Sequence, residues 1–278
     1  MTRLPSGRQL VRPSTPEALE AFLQASPGLH LYELGDLEEP FFSRTRWWAS
    51  AAEDGVLEAV ILEYAAHHEP VVIAMAAMND GGEEADVYAE LIDFIAPELP
   101  ERFYNHATEP VRLALAAHFQ LSAPKPHTRM VLADRAVTSS YPADGEVSLG
   151  EDDLEELLYL YEKSYPDNAF DPRMLELEDA YTGLRREGSL VAVAGVHVLA
   201  PERGVVSLGN ITVHPDWRGQ GLGKQVTASS CRKVSARAHR ALGLNVASHN
   251  APAIRTYEAL GFREVVEFQE FHAERERA

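Results

Sequence analysis

Between residues 214 and 226 the chain reads HPDWRGQGLGKQV, with glycines at 219, 221 and 223. Glycine loses more backbone freedom on ordering than any other residue, so three at alternate positions mark backbone that must turn sharply or be closely approached. The residues just before, VVSLGNITV, read as a strand, and those from Gly223 onward read as a helix. A strand that enters a glycine-rich turn and leaves as a helix commits the segment to an α/β fold. It also presents the unpaired N–H groups of the helix's first turn at the positive end of its dipole, where an anion binds. Arg218 and Lys224 add positive charge there. The plain alternative, a strand-to-helix turn that holds nothing, seldom needs three glycines.

Two common phosphate loops fail on spacing. A P-loop needs four residues between its first glycine and its Gly-Lys-Ser/Thr end, whereas Gly219 and Gly223 have three between them and Gln225 follows Lys224. A dinucleotide fingerprint is GxGxxG, and this run is GxGxG. Charge distribution points to the same segment. The chain of 278 residues carries a net −18, which argues against a nucleic-acid surface. Between Glu202 and Arg255, however, eight Lys or Arg face two acids, a local +6 that leaves −24 elsewhere. An anionic ligand explains that island, and so does a solvated basic helix face at Arg232, Lys233, Arg237 and Arg240.

Hydrophobic residues make up 45% of the chain, enough for a sizeable core. No apolar run is long enough to span a membrane, and the first residues lack the apolar stretch of a secretory signal. Cys231 is the single cysteine, which excludes an internal disulfide and cysteine-rich zinc sites and leaves a cytoplasmic location as the expectation. Along the chain, a helix is expected from STPEALEAFLQ, with Thr15 as its cap, and strands from VLEAVILEY, PVVIAMAAM, RFYNHA and HTRMVLAD. Helices at DVYAELIDFIAPEL and EPVRLALAAHF separate these strands. TSSYPADGEVSLGED, residues 138 to 152, has linker composition. After it come a helix around Leu154–Tyr161, strands at YTGLRREGS, LVAVAGVHVLA and VVSLGNITV, and a helix over residues 223–242. GLNVAS is then a strand, NAPAIRTYEAL a helix stopped by Gly261, and FREVVEFQEF the last strand. Both halves thus follow one element order, with MNDGGEEAD in the first where the second has its glycine run.

Arg218-Gly219-Gln220-Gly221-Leu222-Gly223 satisfies the Gln/Arg-x-x-Gly-x-Gly/Ala signature of the GCN5-related N-acetyltransferases (GNAT). With the strand NITVHP before it and NAPAIRTYEALGF after it at family spacing, residues 145–272 resemble that family. The resemblance implies an α/β fold of two GNAT-like domains in tandem, each a mixed, twisted sheet flanked by helices. The expected domains are residues 1–137, degenerate and without a CoA loop, and residues 138–278, an N-acetyltransferase domain that binds acetyl-CoA in a V-shaped opening between strands 205–213 and 243–248.

Carried over residue by residue, the resemblance implies that backbone at Ile211 and Val213 pairs with the pantetheine arm. Arg218, Gly219, Gln220, Gly221, Leu222, Gly223 and Lys224 would hold the pyrophosphate. Asn250 takes a position near the pantetheine and is equally a helix cap; Arg255 reaches a CoA phosphate or is an exposed helix residue. Tyr257 stands where many members place the phenol that protonates the departing thiolate, and otherwise it is a core aromatic on the face of Ile254. The glutamate that often serves as base on the strand before the loop is Ser207 here, and His197 on the neighbouring strand is the other residue weighed for that role. The expected reaction is acetyl transfer from acetyl-CoA, without a metal, to a primary amine of a small molecule or peptide, with neither nucleic acid nor membrane as partner. A non-catalytic acyl-CoA-binding protein is the alternative. In the first half, Asp80, Glu83, Glu84 and Asp86 would repel a pyrophosphate, and of the adjacent Trp47 and Trp48 one is expected to point away from that domain's core.

Overall fold

The computed structural model describes residues 2–65, 69–76, 83–177 and 179–276. Contacts divide the chain into two units. One comprises residues 1–129, 247–249 and 265–278, the other residues 130–246 and 250–264. The division falls at 129/130 where a boundary at 137/138 was expected, and it places the end of the chain with the first unit.

The first unit contains β1 (Thr2–Arg3), β2 (Gln9–Val11), α1 (Glu17–Ala25), α2 (Leu31–Gly35), β3 (Thr45–Ala51), β4 (Leu57–Tyr64) and β5 (Val71–Ala74). It continues through α3 (Glu83–Ile95), β6 (Arg102–Ala107), α4 (Glu109–Leu115), β7 (Gln120–Leu121) and most of β8 (Lys125–Leu132). Strands β1 to β5 run antiparallel in sequence order, and β5 and β6 are parallel, from Val71 beside Tyr104 to Ala74 beside Ala107. The end of the last strand, Gln269–Glu274, lies antiparallel on the other side of β6. Trp48, Tyr88, Leu91, Phe103, Phe119 and Phe271 form its core. Trp47 and Trp48 are both buried, at 3% and 0% exposure, and of the two Trp48 belongs to this core cluster. Thr15 does not cap α1: Pro16 holds the cap position and no side chain bonds there. Of the expected acidic segment, residues 78–82, Asp80 included, lie outside the described residues, while Glu83, Glu84 and Asp86 occupy the first turn of α3.

In the second unit, β9 (Glu146–Ser148), α5 (Leu154–Ser164), β10 (Tyr181–Arg186), β11 (Ser189–Ala200) and β12 (Val205–Val213) precede α6 (Leu222–Val234). Next come β13 (Ala241–Ala247), α7 (Ala251–Ala259) and the start of β14 (Phe262–Glu274). The stretch expected as a linker therefore supplies a strand: β9 pairs with β10 from Ser148 beside Thr182 to Glu146 beside Leu184. Strands β9 to β12 are antiparallel, and β13 lies parallel to β12. Helix α6 stops eight residues short of its expected end, and β13 starts two residues early. The physical reason is at the helix terminus, where the Arg135 guanidinium donates to the carbonyls of Ser235 and Ala238, groups a helix end leaves unpaired. Gly261 ends α7 at φ +94, in the region where glycine is favoured, as expected. From α2 or α5 onward, both units run through three antiparallel strands, a helix, a parallel strand and a helix.

Candidate active site

β12 and β13 are in register from Val205 beside Ala241 to Leu208 beside Leu244, and there the pairing stops. β12 nevertheless continues to Val213, held on its other side by β11, with Val213 beside Ala192. One edge of residues 209–213 thus has no strand partner in β13, the geometry of a V-shaped opening. A strand edge carries a row of N–H and C=O groups that a ligand's amides can pair with. The side chains of Ile211 and Val213 pack against a cluster of Leu184, Ala192, Ala194 and Val226, so what they offer a ligand is backbone.

β12 leads directly into the glycine run. Gly219 and Gly221 have φ of +78 and +79, and a Cβ at either meets nothing within 4 Å, so it is the backbone conformation and not crowding that requires glycine. Gly221 is the N-cap of α6, without a side-chain cap, and the first turn of α6 holds no acid. Leu222 is 6% exposed and packs into the core, which leaves its N–H as its contribution to the loop. Gly223 differs from the other two: its φ is not in the left-handed region, and an added Cβ would meet Val213 at an ordinary 3.6 Å. Gln220 is exposed and Lys224 half-buried beside this turn. Arg218 folds back: its Nε donates to the Val213 carbonyl at 3.1 Å and its Nη2 to the Ser164 carbonyl at 3.2 Å. The structure thus gathers Ile211, Val213 and Arg218 to Lys224 around one strand end and one uncapped helix N-terminus.

The residues of α7 divide. Tyr257 is 7% exposed, packed in the core with its ring centroid 5.9 Å from that of Phe262. Burial, with the Tyr165 phenol and Cys231 nearby, raises its pKa well above that of an ordinary phenol. It stays protonated at neutral pH and can donate a hydrogen bond. Asn250 is the cap, its Oδ1 accepting from the Ala253 N–H at 3.2 Å. Arg255 is exposed and sits two residues from Tyr257, on a different face of the helix. Ser207 is fully buried, with its hydroxyl unpartnered among the described residues, and β12 carries no acid. His197 lies across Gly209, where a Cβ would come within 2.5 Å of its ring, and Tyr181 lies in the same way across Gly195. Gly195 and Gly209 are directly opposite one another on β11 and β12, so this pair of glycines makes room for both rings on one face.

Sequence reasoning missed Asn210. Opposite Ala194, β12 spends two residues, Asn210 and Ile211, in a bulge, and Asn210 adopts φ +52. Its side chain is 4% exposed. The Gly-Asn pair in the middle of the strand VVSLGNITV was the available signal, since both residues tolerate left-handed backbone. Around it, the Tyr161 hydroxyl donates to the Asn210 carbonyl at 3.0 Å, and Asn210 Nδ2 donates to the Tyr181 hydroxyl at 2.9 Å. Burial pushes the Tyr181 phenol up to about 12 and the Tyr161 phenol higher still. Among the described residues, no group of three or more His, Cys, Asp or Glu is placed to hold a metal ion, and no helix is long and apolar enough to cross a membrane.

Residues 148–262 match the Acetyltransferase (GNAT) family. Mycothiol acetyltransferase of Clavibacter michiganensis subsp. michiganensis is 26% identical over 273 residues, covering 84% of this chain and 87% of that protein. The ribosomal protein bS18-alanine N-acetyltransferase of Escherichia coli is 37% identical over 81 residues, covering 29% of this chain and 53% of that protein. A solved tandem GNAT protein from the clavulanic acid biosynthesis pathway aligns over 98% of this chain and 99% of that one, at TM-score 0.51 and 16% identity. That last likeness is one of fold.

The loop geometry makes a prediction for the chain without ligand. Gly221→Ala forces a Cβ into left-handed backbone and should destabilise by about 1 kcal/mol, whereas Gly223→Ala, inside α6, should be neutral or stabilising by up to about 0.5 kcal/mol. Urea unfolding of the two variants measures this, and the reverse order would contradict the loop conformation described.

Proposed function

From a chain that carries a domain of the GNAT acetyltransferase family, we propose an N-acetyltransferase that moves the acetyl group of acetyl-CoA to a primary amine by direct attack. The observation that carries the reading is the continuity of two binding elements. The free edge of residues 209–213 ends at an uncapped, acid-free helix N-terminus with two left-handed glycines. An extended arm of amides ending in a diphosphate matches that sequence of sites, with the amides along Ile211 and Val213 and the diphosphate on the N–H groups from Gly219 to Lys224. Arg218 and Lys224 complement the charge, and the thioester end then falls toward Gly209 and Leu208, where the strands part.

Transfer needs the amine nitrogen to attack the thioester carbon, the C–S bond to break, the sulfur to gain a proton and the nitrogen to lose one. Tyr257, buried and protonated, is the donor for sulfur. β12 offers no carboxylate for the nitrogen's proton, so that proton leaves to water or to the imidazole of His197. Asn250 supports the site by capping α7, and Arg255 is at most a peripheral contact to a CoA phosphate. A small-molecule amine is the favoured acceptor. The small-molecule acetyltransferase relative aligns across both units, whereas the alignment with the ribosomal-protein enzyme covers less than a third of this chain. The second reading, acyl-CoA binding without turnover, draws on the buried Ser207 at the position of the family base.

The first unit holds no CoA on this reading. Just past the β5–β6 pairing, the Ala76 N–H donates to Thr108 Oγ1 at 3.2 Å and the Tyr88 hydroxyl donates to the Met75 carbonyl at 3.1 Å. On the β6 side, where a pantetheine would run, the Ala76 N–H is thus taken by Thr108, and Glu83, Glu84 and Asp86 charge the adjoining helix start against a phosphate.

Calorimetry should accordingly find one acetyl-CoA per chain, with affinity abolished in Gly221→Asp, which puts a carboxylate where the diphosphate lies. Two bound ligands, or unchanged affinity in the variant, would contradict the assignment. In a thiol-release assay against small primary amines and peptides beginning with alanine, Tyr257→Phe should lower turnover on the order of 10²-fold at nearly constant acetyl-CoA affinity. Acetyl-CoA binding with no amine-dependent thiol release in the wild type would favour the non-catalytic reading, and equal turnover in the variant would leave Tyr257 a core aromatic.

A further inference from the structure

The bulge at Asn210 needs only a residue that accepts φ +52, and glycine would serve. The chain instead buries a carboxamide there and uses both of its ends. Nδ2 donates to the Tyr181 hydroxyl at 2.9 Å, and Oδ1 accepts from the Ala169 N–H at 3.1 Å. With the Tyr161 hydroxyl on its carbonyl, Asn210 joins α5, β10 and the segment that follows α5. That segment, Tyr165–Phe170, is an arch fastened at two points. The Ser164 carbonyl before it accepts from Arg218, the arginine of the glycine loop, and the Ala169 N–H near its end donates to Asn210. Within the arch, Asn168 Nδ2 donates to the Tyr165 carbonyl at 2.7 Å and Asn168 Oδ1 accepts from the Phe170 N–H at 2.9 Å. The Phe170 ring packs 5.4 Å from both Tyr161 and Tyr181. The arch also carries Tyr165, close enough to Tyr257 to affect its phenol.

Resting on the acetyltransferase reading, we infer that Asn210 is a positioning residue, whose carboxamide clamps the Tyr165–Phe170 arch against the parting point of β12 and β13 so that the arch walls the thioester from water. The clamp sits one residue beyond Gly209, at the apex to which the donor's thioester runs. Loosening it exposes the thioester to water: a water oxygen attacks the carbonyl carbon, the C–S bond breaks, and acetate and CoA thiol are released.

The test uses the full chain, acetyl-CoA as probe and no amine. Asn210→Gly keeps the bulge and deletes the clamp. Asn210→Asp keeps the acceptor for Ala169 and takes a hydrogen bond from Tyr181, so it should rescue. Asn168→Ala loosens the arch from within and leaves β12 untouched. Expected in Asn210→Gly and Asn168→Ala are acetyl-CoA affinity within about twofold of wild type, amide exchange at Ala169 faster by about tenfold, and thiol release in water faster by about fivefold or more. Asn210→Asp should return both rates toward wild type. General destabilisation would weaken affinity instead of raising hydrolysis at constant affinity. Unchanged exchange and unchanged hydrolysis in both loosening variants, with acetyl-CoA bound, would overturn this inference alone. A wild-type chain with no acetyl-CoA affinity would overturn the functional reading beneath it.

Discussion

Everything proposed for the second unit depends on where β12 and β13 stop pairing. Two parallel strands normally satisfy each other's backbone along their whole shared length, because a buried N–H or C=O left unpaired costs as much as a lost hydrogen bond. Here pairing ends after Leu208 and Leu244 while β12 runs on to Val213. The bulge at Asn210 and Ile211 is what lets β12 leave β13 without leaving β11, because it absorbs the extra residue opposite Ala194 and increases the local twist. The free edge, the glycine run at its end and the uncapped start of α6 then follow in chain order. None of them would present an anion-and-amide site if the two strands stayed zipped.

The first unit supplies an internal comparison. It repeats the element order, with a parallel pair β5–β6 of the same four-residue register, yet just beyond Ala74 the Ala76 N–H on the β6 side is taken by Thr108, while Tyr88 bridges Val60 of β4 and Met75 on the other side. Tyr88 is fully buried, and desolvation raises its phenol far above the normal range, which fixes it as a donor to Met75. One architecture therefore appears in two conditions: a seam with Thr108 bonded at its end, and a seam beyond which residues 209–213 have no partner in β13, although Arg218 and Tyr161 bond the Val213 and Asn210 carbonyls. The difference lies in a few hydroxyls and glycines and not in the fold.

How much of this was legible in the sequence depended on range. The strand of residues 205–213, the strand of residues 102–107 and the stop at Gly261 were readable because alternation and left-handed glycine are local signals. The strand, glycine turn and helix start were readable because the three parts are contiguous. What failed was set by distant partners. The end of α6 depends on Arg135, roughly a hundred residues away, and the strand at Glu146–Ser148 exists only because β10 pairs with it. Asn210 was invisible as a clamp since its partners, Tyr161, Ala169 and Tyr181, come from three separate elements. The crossing of residues 265–274 into the first unit breaks the rule that a domain is one continuous stretch, and no local pattern announces that.

The central claim is that the edge of residues 209–213 and the start of α6 form one continuous donor site, with the first unit's counterpart closed. A crystal structure of the full chain grown with CoA tests it most directly. The account predicts one CoA, its pantetheine amides paired with the backbone of Ile211 and Val213, its diphosphate on the N–H groups between Gly219 and Lys224, and the β5–β6 seam unchanged. CoA bound beside Met75 and Ala76, or a diphosphate seated away from the α6 N-terminus, would contradict it.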